Sequence, residues 1–288
     1  MIKTKDIVQG LGYEIVYTDT DSVFLKGQGK TTTRSDYQQV VDILSKETGL
    51  SMSIEYYYKF LVLLPLEADE KIEALKHYYG ITQQGELVVR GIEIRRHDIP
   101  NFIKQFQTEL LYTLFDCKDS AEVANKGYEN ALLLVTKAID RIMTAEDITQ
   151  QDLVVSKLLR QDIEKYKSLF PHVSAAIQLS TSSSTDGRFP AKGDTINYIY
   201  TNTQHKNPLC RIAALETAHQ EDDNNKIRTL NYDKEKYREM ILDAAETVLG
   251  TFGFNRTVYG ESKKRKGKWW HELIQEREKD IQTEMLIE

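Results

Sequence analysis

Two carboxylates separated by one residue stand in Tyr17-Thr18-Asp19-Thr20-Asp21-Ser22, between the apolar runs Ile15-Val16-Tyr17 and Val23-Phe24-Leu25. β-Rich runs on both sides of a four-residue polar segment predict a hairpin with Asp19 and Asp21 at its tip. Carboxylate oxygens held at a rigid strand end are the hard ligands that Mg²⁺ takes. Such a device suits two-metal nucleotidyl transfer, in which one ion activates a hydroxyl and the other stabilises leaving pyrophosphate. The plainer alternative is that Asp and Ser simply make the turn, which both residues favour.

The elements that would hold this turn can be read around it. Residues 1–10 predict the end of a helix closing at Gly10-Leu11-Gly12, and residues 34–48 a helix with Val40, Val41, Ile43 and Leu44 at helical spacing. The segment Met52 to Pro65 reads as strand, rich in aromatic and branched residues. A second hairpin, Lys76 to Ile94, turns at Gln84-Gly85. Asp98 with Pro100 is a helix start, and apolar stripes recur through Leu110–Phe115 and Asn130–Met143. Further helical signal lies at 156–170 and 233–250, with a strand at 192–200 between them; residues 181–187 read as a loop. These elements predict an α+β fold: a small α+β unit at 1–75, a larger mainly helical unit at 76–254, and an appended tail at 255–288.

Composition narrows the class without deciding it. The chain has 288 residues, 40% of them hydrophobic and 28% charged, with a formal net charge of −6. That balance is neutral evidence on nucleic acid, because a basic face can sit on an acidic whole. Cys117 and Cys210 have no CxxC spacing, so no zinc or redox motif is present. The longest apolar stretch, Phe60 to Leu66, contains Pro65 and is too short to span a membrane. With no apolar core of signal-peptide length at the start, the expectation is a cytoplasmic protein without a membrane partner.

The string YTDTDS between hydrophobic strands closely resembles the motif C hairpin of family-B DNA polymerases. The resemblance implies that Asp21 ligates metal, with Asp19 as a nearby second carboxylate, and that Thr20 and Ser22 shape the turn. Leu75-Lys76-His77-Tyr78 is similar to the family's KKRY segment, with Leu75 and His77 replacing a lysine and the arginine. There Lys76 would meet minor-groove base edges, sensing pairing geometry without reading sequence, and Tyr78 would pack beside the primer. Tyr79 reads as hairpin core. Gly91-Ile92-Glu93-Ile94-Arg95-Arg96 is similar to the string opening the family's thumb, with His97-Asp98 where Asp-Trp is usual. Arg95 and Arg96 read either as phosphate contacts or as partners of acids such as Glu93. Within 156–170, Lys157 and Arg160 are phosphate candidates spaced to share one helix face, or members of a solvated face. His172 reads as filling or capping a loop and is assigned no chemistry.

The resemblance covers residues 1–254 and implies the C-terminal part of a polymerase palm, an antiparallel sheet with helices, followed by a helical thumb. It implies Mg²⁺ as cofactor, primer–template DNA and a deoxynucleoside triphosphate as ligands, and template-directed synthesis as the reaction. The family's other palm aspartate, its nucleotide-binding helix and its exonuclease all lie before motif C. The expectation is therefore the small subunit of a split archaeal enzyme, active only with a large subunit carrying the exonuclease, fingers and remaining palm. A non-catalytic DNA-binding or scaffolding subunit is the alternative, against which both carboxylates stand. Lys263-Lys264-Arg265-Lys266 beside Trp269-Trp270 suits DNA, a sliding clamp, or an anchor for the last helix.

Overall fold

Residues 2–28, 32–66, 69–181, 189–215 and 231–259 are described by a computed structural model. The chain is α+β and divides into two units, Met1–Gly91 and Ile92–Glu288. The boundary expected at 75 falls inside a strand, whose second half pairs on both sides and so keeps residues 76–90 in the first unit's sheet.

In the first unit, α1 (Ile2–Gly10) leads into β1 (Tyr13–Thr18), which pairs antiparallel with β2 (Val23–Gly27). Helix α1 closes where the glycines stand, with Gly12 at φ +81°. Helix α2 (Arg34–Thr48) opens on a capping box between Thr33 and Asp36 and ends at left-handed Gly49. The two helices bury Val8, Val40 and Leu44 with Ile15 and Leu25 packed against them. Strands β3 (Tyr58–Leu66), β4 (Asp69–Thr82) and β5 (Leu87–Arg90) form an antiparallel meander. The extended run expected from Met52 begins as a strand only at Tyr58. The second hairpin turns where expected, with Gly85 at φ +84° and its N–H donated to the Thr82 carbonyl.

Two irregularities in this unit shape the surroundings of the carboxylate turn. Val16 is an extra residue between the pairs Ile15↔Leu25 and Tyr17↔Phe24. An inserted residue resets side-chain alternation, and here Ile15 packs with the helices while Tyr17 joins Tyr78 and Val88 of the meander. In the second irregularity, Leu63 pairs with Tyr78 but Pro65 with Glu73, so β4 carries surplus residues that leave the ladder around Lys76.

In the second unit, α3 (Asn101–Phe115), α4 (Ser120–Glu122), α5 (Tyr128–Thr144) and α6 (Gln150–Leu153) precede β6 (Val155–Leu158). Then come α7 (Pro171–Thr181), β7 (Thr195–Tyr200), β8 (Ile212–Leu215) and α8 (Lys234–Leu249). Helices α3, α5 and α8 bury Leu110, Leu114, Val135, Ile142, Ile241 and Val248. Strands β6, β7 and β8 pair antiparallel in that order, and α7 packs Ala175 and Ala176 on them.

The helix expected at 156–170 is absent. Residues 155–158 pair with 195–198 instead, followed by a single 3₁₀ turn at Ile163–Lys165. Helix-forming residues in Lys157–Lys167 are overridden because β7 offers a ladder and the sheet core takes Val155 and Leu159. His172 lies in the first turn of α7 rather than in a loop, with its ring stacked on Phe170 and edge-on to Tyr166.

The tail expected from 255 begins later. Arg256 forms ion pairs with Glu239, Asp243 and Glu246 of α8 and so ties residues 256–259 to the unit. Lys263–Trp270 and nearly all of the loop read at 181–187 lie outside the described residues. Among the described residues no helix is long and apolar enough to cross a membrane.

Candidate carboxylate hairpin and cation cleft

Asp19 and Asp21 sit in the turn between β1 and β2, closed by the Asp19 N–H donating to the Ser22 carbonyl at 2.9 Å. The two carboxylates differ in their surroundings. Asp19 Oδ1 accepts from the Thr20 N–H at 2.7 Å and lies 3.6 Å from the Lys76 ammonium. Asp21 is exposed, and among the described residues no side chain pairs with it. An exposed pair such as Asp19–Lys76 contributes about 0.2–1 kcal/mol, which leaves Lys76 free to exchange partners.

Aromatic packing holds the base of the hairpin. Tyr17 lies edge-on to Phe24 and to Tyr78, with centroids 5.2 and 6.0 Å apart, and Phe24 lies 5.3 Å from Tyr78. Tyr78 is only 7% exposed, so its ring is bracing for the hairpin rather than a free stacking surface. Burial pushes its phenol up from the ordinary value, and the Asp19 charge adds to that rise. Tyr79 is fully buried, as a core residue should be.

The loop that leaves the β4 ladder is pinned to this base. The Lys76 N–H donates to the Tyr17 hydroxyl at 2.7 Å, and Lys76 takes a left-handed conformation with φ +61°. Such a conformation costs a non-glycine residue about 1 kcal/mol or more, and persists where its surroundings fix it. Gly91 supplies one of those constraints: a Cβ there would meet the Lys76 carbonyl at 2.5 Å and the His77 ring at 2.7 Å. The segments around Tyr17 and Lys76, 59 residues apart, thus form one constellation.

The remaining predicted cations lie in the second unit and separate into two kinds. Arg96 makes a two-pronged ion pair with Asp98, Nε–Oδ1 at 3.1 Å and Nη2–Oδ2 at 3.2 Å. Lys157 reaches the same carboxylate, Nζ–Oδ2 at 3.2 Å. Burial opposes ionisation of Asp98, but the hydrogen bonds from Arg96 and Lys157 outweigh it and hold the carboxyl below its usual range. The Arg95 and Arg160 side chains are exposed and pair with no side chain among the described residues. Lys157 and Arg160 do not share a helix face, since one lies within a strand and the other follows it. Glu93 is not the arginines' partner either: it accepts from Gln107 Nε2 at 2.8 Å and Thr247 Oγ1 at 2.9 Å.

No group of three or more His, Cys, Asp or Glu side chains able to hold a metal occurs among the described residues. The exposed Asp21 oxygens suit Mg²⁺, with Asp19 close by, but two side chains make only part of an octahedral donor set.

The sequence profile of DNA polymerase family B matches residues 2–250. The chain belongs to that family. Its relatives include the DNA polymerase of Archaeoglobus fulgidus, 31% identical over 172 residues, which is 60% of this chain and 20% of the relative. DNA polymerase II of Escherichia coli is 30% identical over 229 residues, 73% of this chain and 27% of the relative. The solved structure of the family B DNA polymerase from Pyrobaculum calidifontis shares the fold with a TM-score of 0.59 at 22% identity, covering 86% of this chain and 28% of that one. The family B chain thus spans roughly a fifth to a quarter of the length of these relatives.

Two residues of this family B chain that bear on the site had no functional reading in its sequence. Asp98 reads as a helix start, yet α3 begins at Asn101 after Pro100, and the carboxylate serves Arg96 and Lys157. The adjacency Arg95-Arg96-His97-Asp98 was the available signal. Lys236, in the first turn of α8, lines a cleft with Arg96, Asp98 and Lys157, and nothing in its local sequence marks it.

Proposed function

We propose that this chain supplies the motif C edge of a family B polymerase active site, on a palm portion formed by its first unit, and a duplex-gripping thumb in its second. The observation that carries the reading is the asymmetry of the hairpin: Asp19 is engaged by Lys76, while Asp21 is exposed and pairs with no side chain among the described residues. Membership of the family supports this reading, in which the chain works with a complementary part. That complement would be a large subunit carrying the exonuclease, fingers and the second palm aspartate.

In this reading Asp21 is the metal ligand and Asp19 the supporting carboxylate. Mg²⁺ bound there with the complementary aspartate would lower the pKa of the primer hydroxyl and neutralise charge on the leaving pyrophosphate. The chain's own residues hold the geometry. Tyr17, Phe24 and Tyr78 fix the hairpin base, and Thr20 and Ser22 close its turn. The loop at Lys76 presents an ammonium that neutralises Asp19 and can extend to minor-groove acceptors of the primer–template, which every base pair shares. Arg95 and Arg160 are phosphate contacts with no competing carboxylate among the described residues.

The test is reconstitution. The chain is combined with a polypeptide carrying the other palm aspartate, and Mg²⁺-dependent primer extension is measured with deoxynucleoside triphosphates. Activity is expected only from the mixture, and Asp21→Ala should abolish it while leaving assembly intact. Full activity of the Asp21→Ala mixture would overturn the assignment.

A further inference from the structure

The carboxylate hairpin shares no backbone ladder with the sheet it packs on. Strands β1 and β2 form a two-stranded sheet of their own, separate from the β3–β4–β5 meander. A common ladder would fix position through its hydrogen-bond register; here side chains must do it. Besides the Lys76 loop, whose N–H reaches the Tyr17 hydroxyl, the join is a cluster of rings around Phe24. Phe24 follows Asp21-Ser22-Val23 at the start of β2, so where its ring sits bears directly on where the turn sits.

Each strand around Phe24 contributes one ring. Tyr17 of β1 and Tyr78 of β4 meet it edge-on. Tyr58, the first residue of β3, lies nearly parallel to it instead, with centroids 6.2 Å apart and planes at 19°. Gly80 of β4, opposite Leu61, makes room for the Tyr58 ring. A Cβ there would meet the Phe60 carbonyl at 2.6 Å and the Tyr58 ring at 3.0 Å. Gly80 is not among the glycines with positive φ, so the position is short of space rather than in need of an unusual backbone.

The Tyr58 hydroxyl does not account for the residue. It is buried with no hydrogen-bond partner among the described residues, a costly state for a polar atom. Burial also pushes the phenol well above its ordinary value, so it stays neutral. What Tyr58 contributes is its ring.

We infer that Tyr58 is a positioning residue for metal binding: seated on Gly80, its ring fixes Phe24 and, through Phe24, the turn that carries Asp21. The inference rests on the reading of Asp21 as a metal ligand and adds a residue outside the motif on which that ligand's placement depends. Without the ring, Phe24 loses its parallel neighbour and the hairpin is free to shift on the meander. Mg²⁺ demands near-ideal octahedral geometry, so a displaced Asp21 weakens metal affinity before it lowers the rate at saturating Mg²⁺.

The test reads metal binding and activity of the reconstituted mixture separately. Binding is measured with Mn²⁺, which takes the same oxygen ligands, from the paramagnetic resonance of the free ion. Primer extension is followed across a Mg²⁺ titration, and thermal unfolding verifies the fold of each variant chain. Tyr58→Leu is expected to weaken Mn²⁺ binding about 10-fold, as loss of a residue supporting a metal ligand does. The Mg²⁺ requirement should rise alike, with most of the maximal rate recovered at saturation. Tyr58→Phe, which keeps the ring and removes the partnerless hydroxyl, should match wild type in both and melt no lower. If Tyr58→Leu does not fold, Tyr58→Met, which fills similar space without a flat face, is read by the same criteria. A folded variant without the ring that binds Mn²⁺ like wild type would overturn the positioning role. Phe weakening the metal as much as Leu would overturn its assignment to the ring. Mn²⁺ binding that is unchanged by Asp21→Ala would overturn the metal-ligand reading, and this inference with it.

Discussion

The hairpin of the first unit and the Asp98 cluster of the second set cationic side chains against aspartate in opposite proportion. On the hairpin, Lys76 pairs with Asp19 alone, and Asp21 is exposed with no side-chain partner among the described residues. In the second unit, Arg96 and Lys157 converge on the single carboxylate of Asp98. The first arrangement leaves one carboxylate open to a cation, whereas the second is satisfied internally. Local stoichiometry of charge, held by packing, sets what each region attracts; the whole-chain charge of −6 does not.

Asp21 gives the largest effect in this comparison, because a group acting directly on developing charge is worth roughly 10²–10³-fold or more in rate. Next come the residues that hold the Lys76 loop against the hairpin. Gly91→Ala should cost about 1–3 kcal/mol, since its Cβ would meet the Lys76 carbonyl at a backbone angle of φ +71°. A lowered melting temperature together with weaker primer–template binding in the reconstituted enzyme is expected. Normal melting would mean that the loop has room to move. Tyr17→Phe removes the acceptor for the Lys76 N–H and should cost about 1 kcal/mol, read by thermal unfolding, with primer binding weakened more than the maximal rate. An unchanged primer requirement would detach the loop from the site.

The smallest effect belongs to His172, on the cleft side of the comparison. Burial holds its imidazole below the ordinary 6.5, with the Lys157 charge adding to the shift. The unfolded chain therefore takes up the proton first. Stability from this residue is full above about pH 6.5 and declines as pH falls from there through the lower folded value. His172→Phe should flatten the part of the fall in melting temperature between pH 7 and pH 5 that this ring causes. An identical pH profile in the variant would contradict it.

What was legible in the sequence was local. The β1–β2 hairpin, the Thr33–Asp36 capping box and the Gln84-Gly85 turn follow from turn and cap chemistry within a few residues. What was not legible depends on partners far along the chain. Lys157 reads as helical until β7, some 40 residues later, offers it a strand. Tyr78 reads as a primer contact until Tyr17 and Phe24 enclose it. Asp98 reads as a helix start until Lys157, 59 residues distant, reaches its carboxylate. The metal-ligand role proposed for Asp21 comes from a motif rather than from any local property of its neighbours.

The most direct test compares Asp21→Ala with Asp19→Ala in the reconstituted enzyme, measuring primer extension across a Mg²⁺ titration. The account predicts no activity from Asp21→Ala at any Mg²⁺ concentration, and reduced activity from Asp19→Ala that added Mg²⁺ partly restores. Activity that survives in Asp21→Ala and vanishes in Asp19→Ala would contradict it.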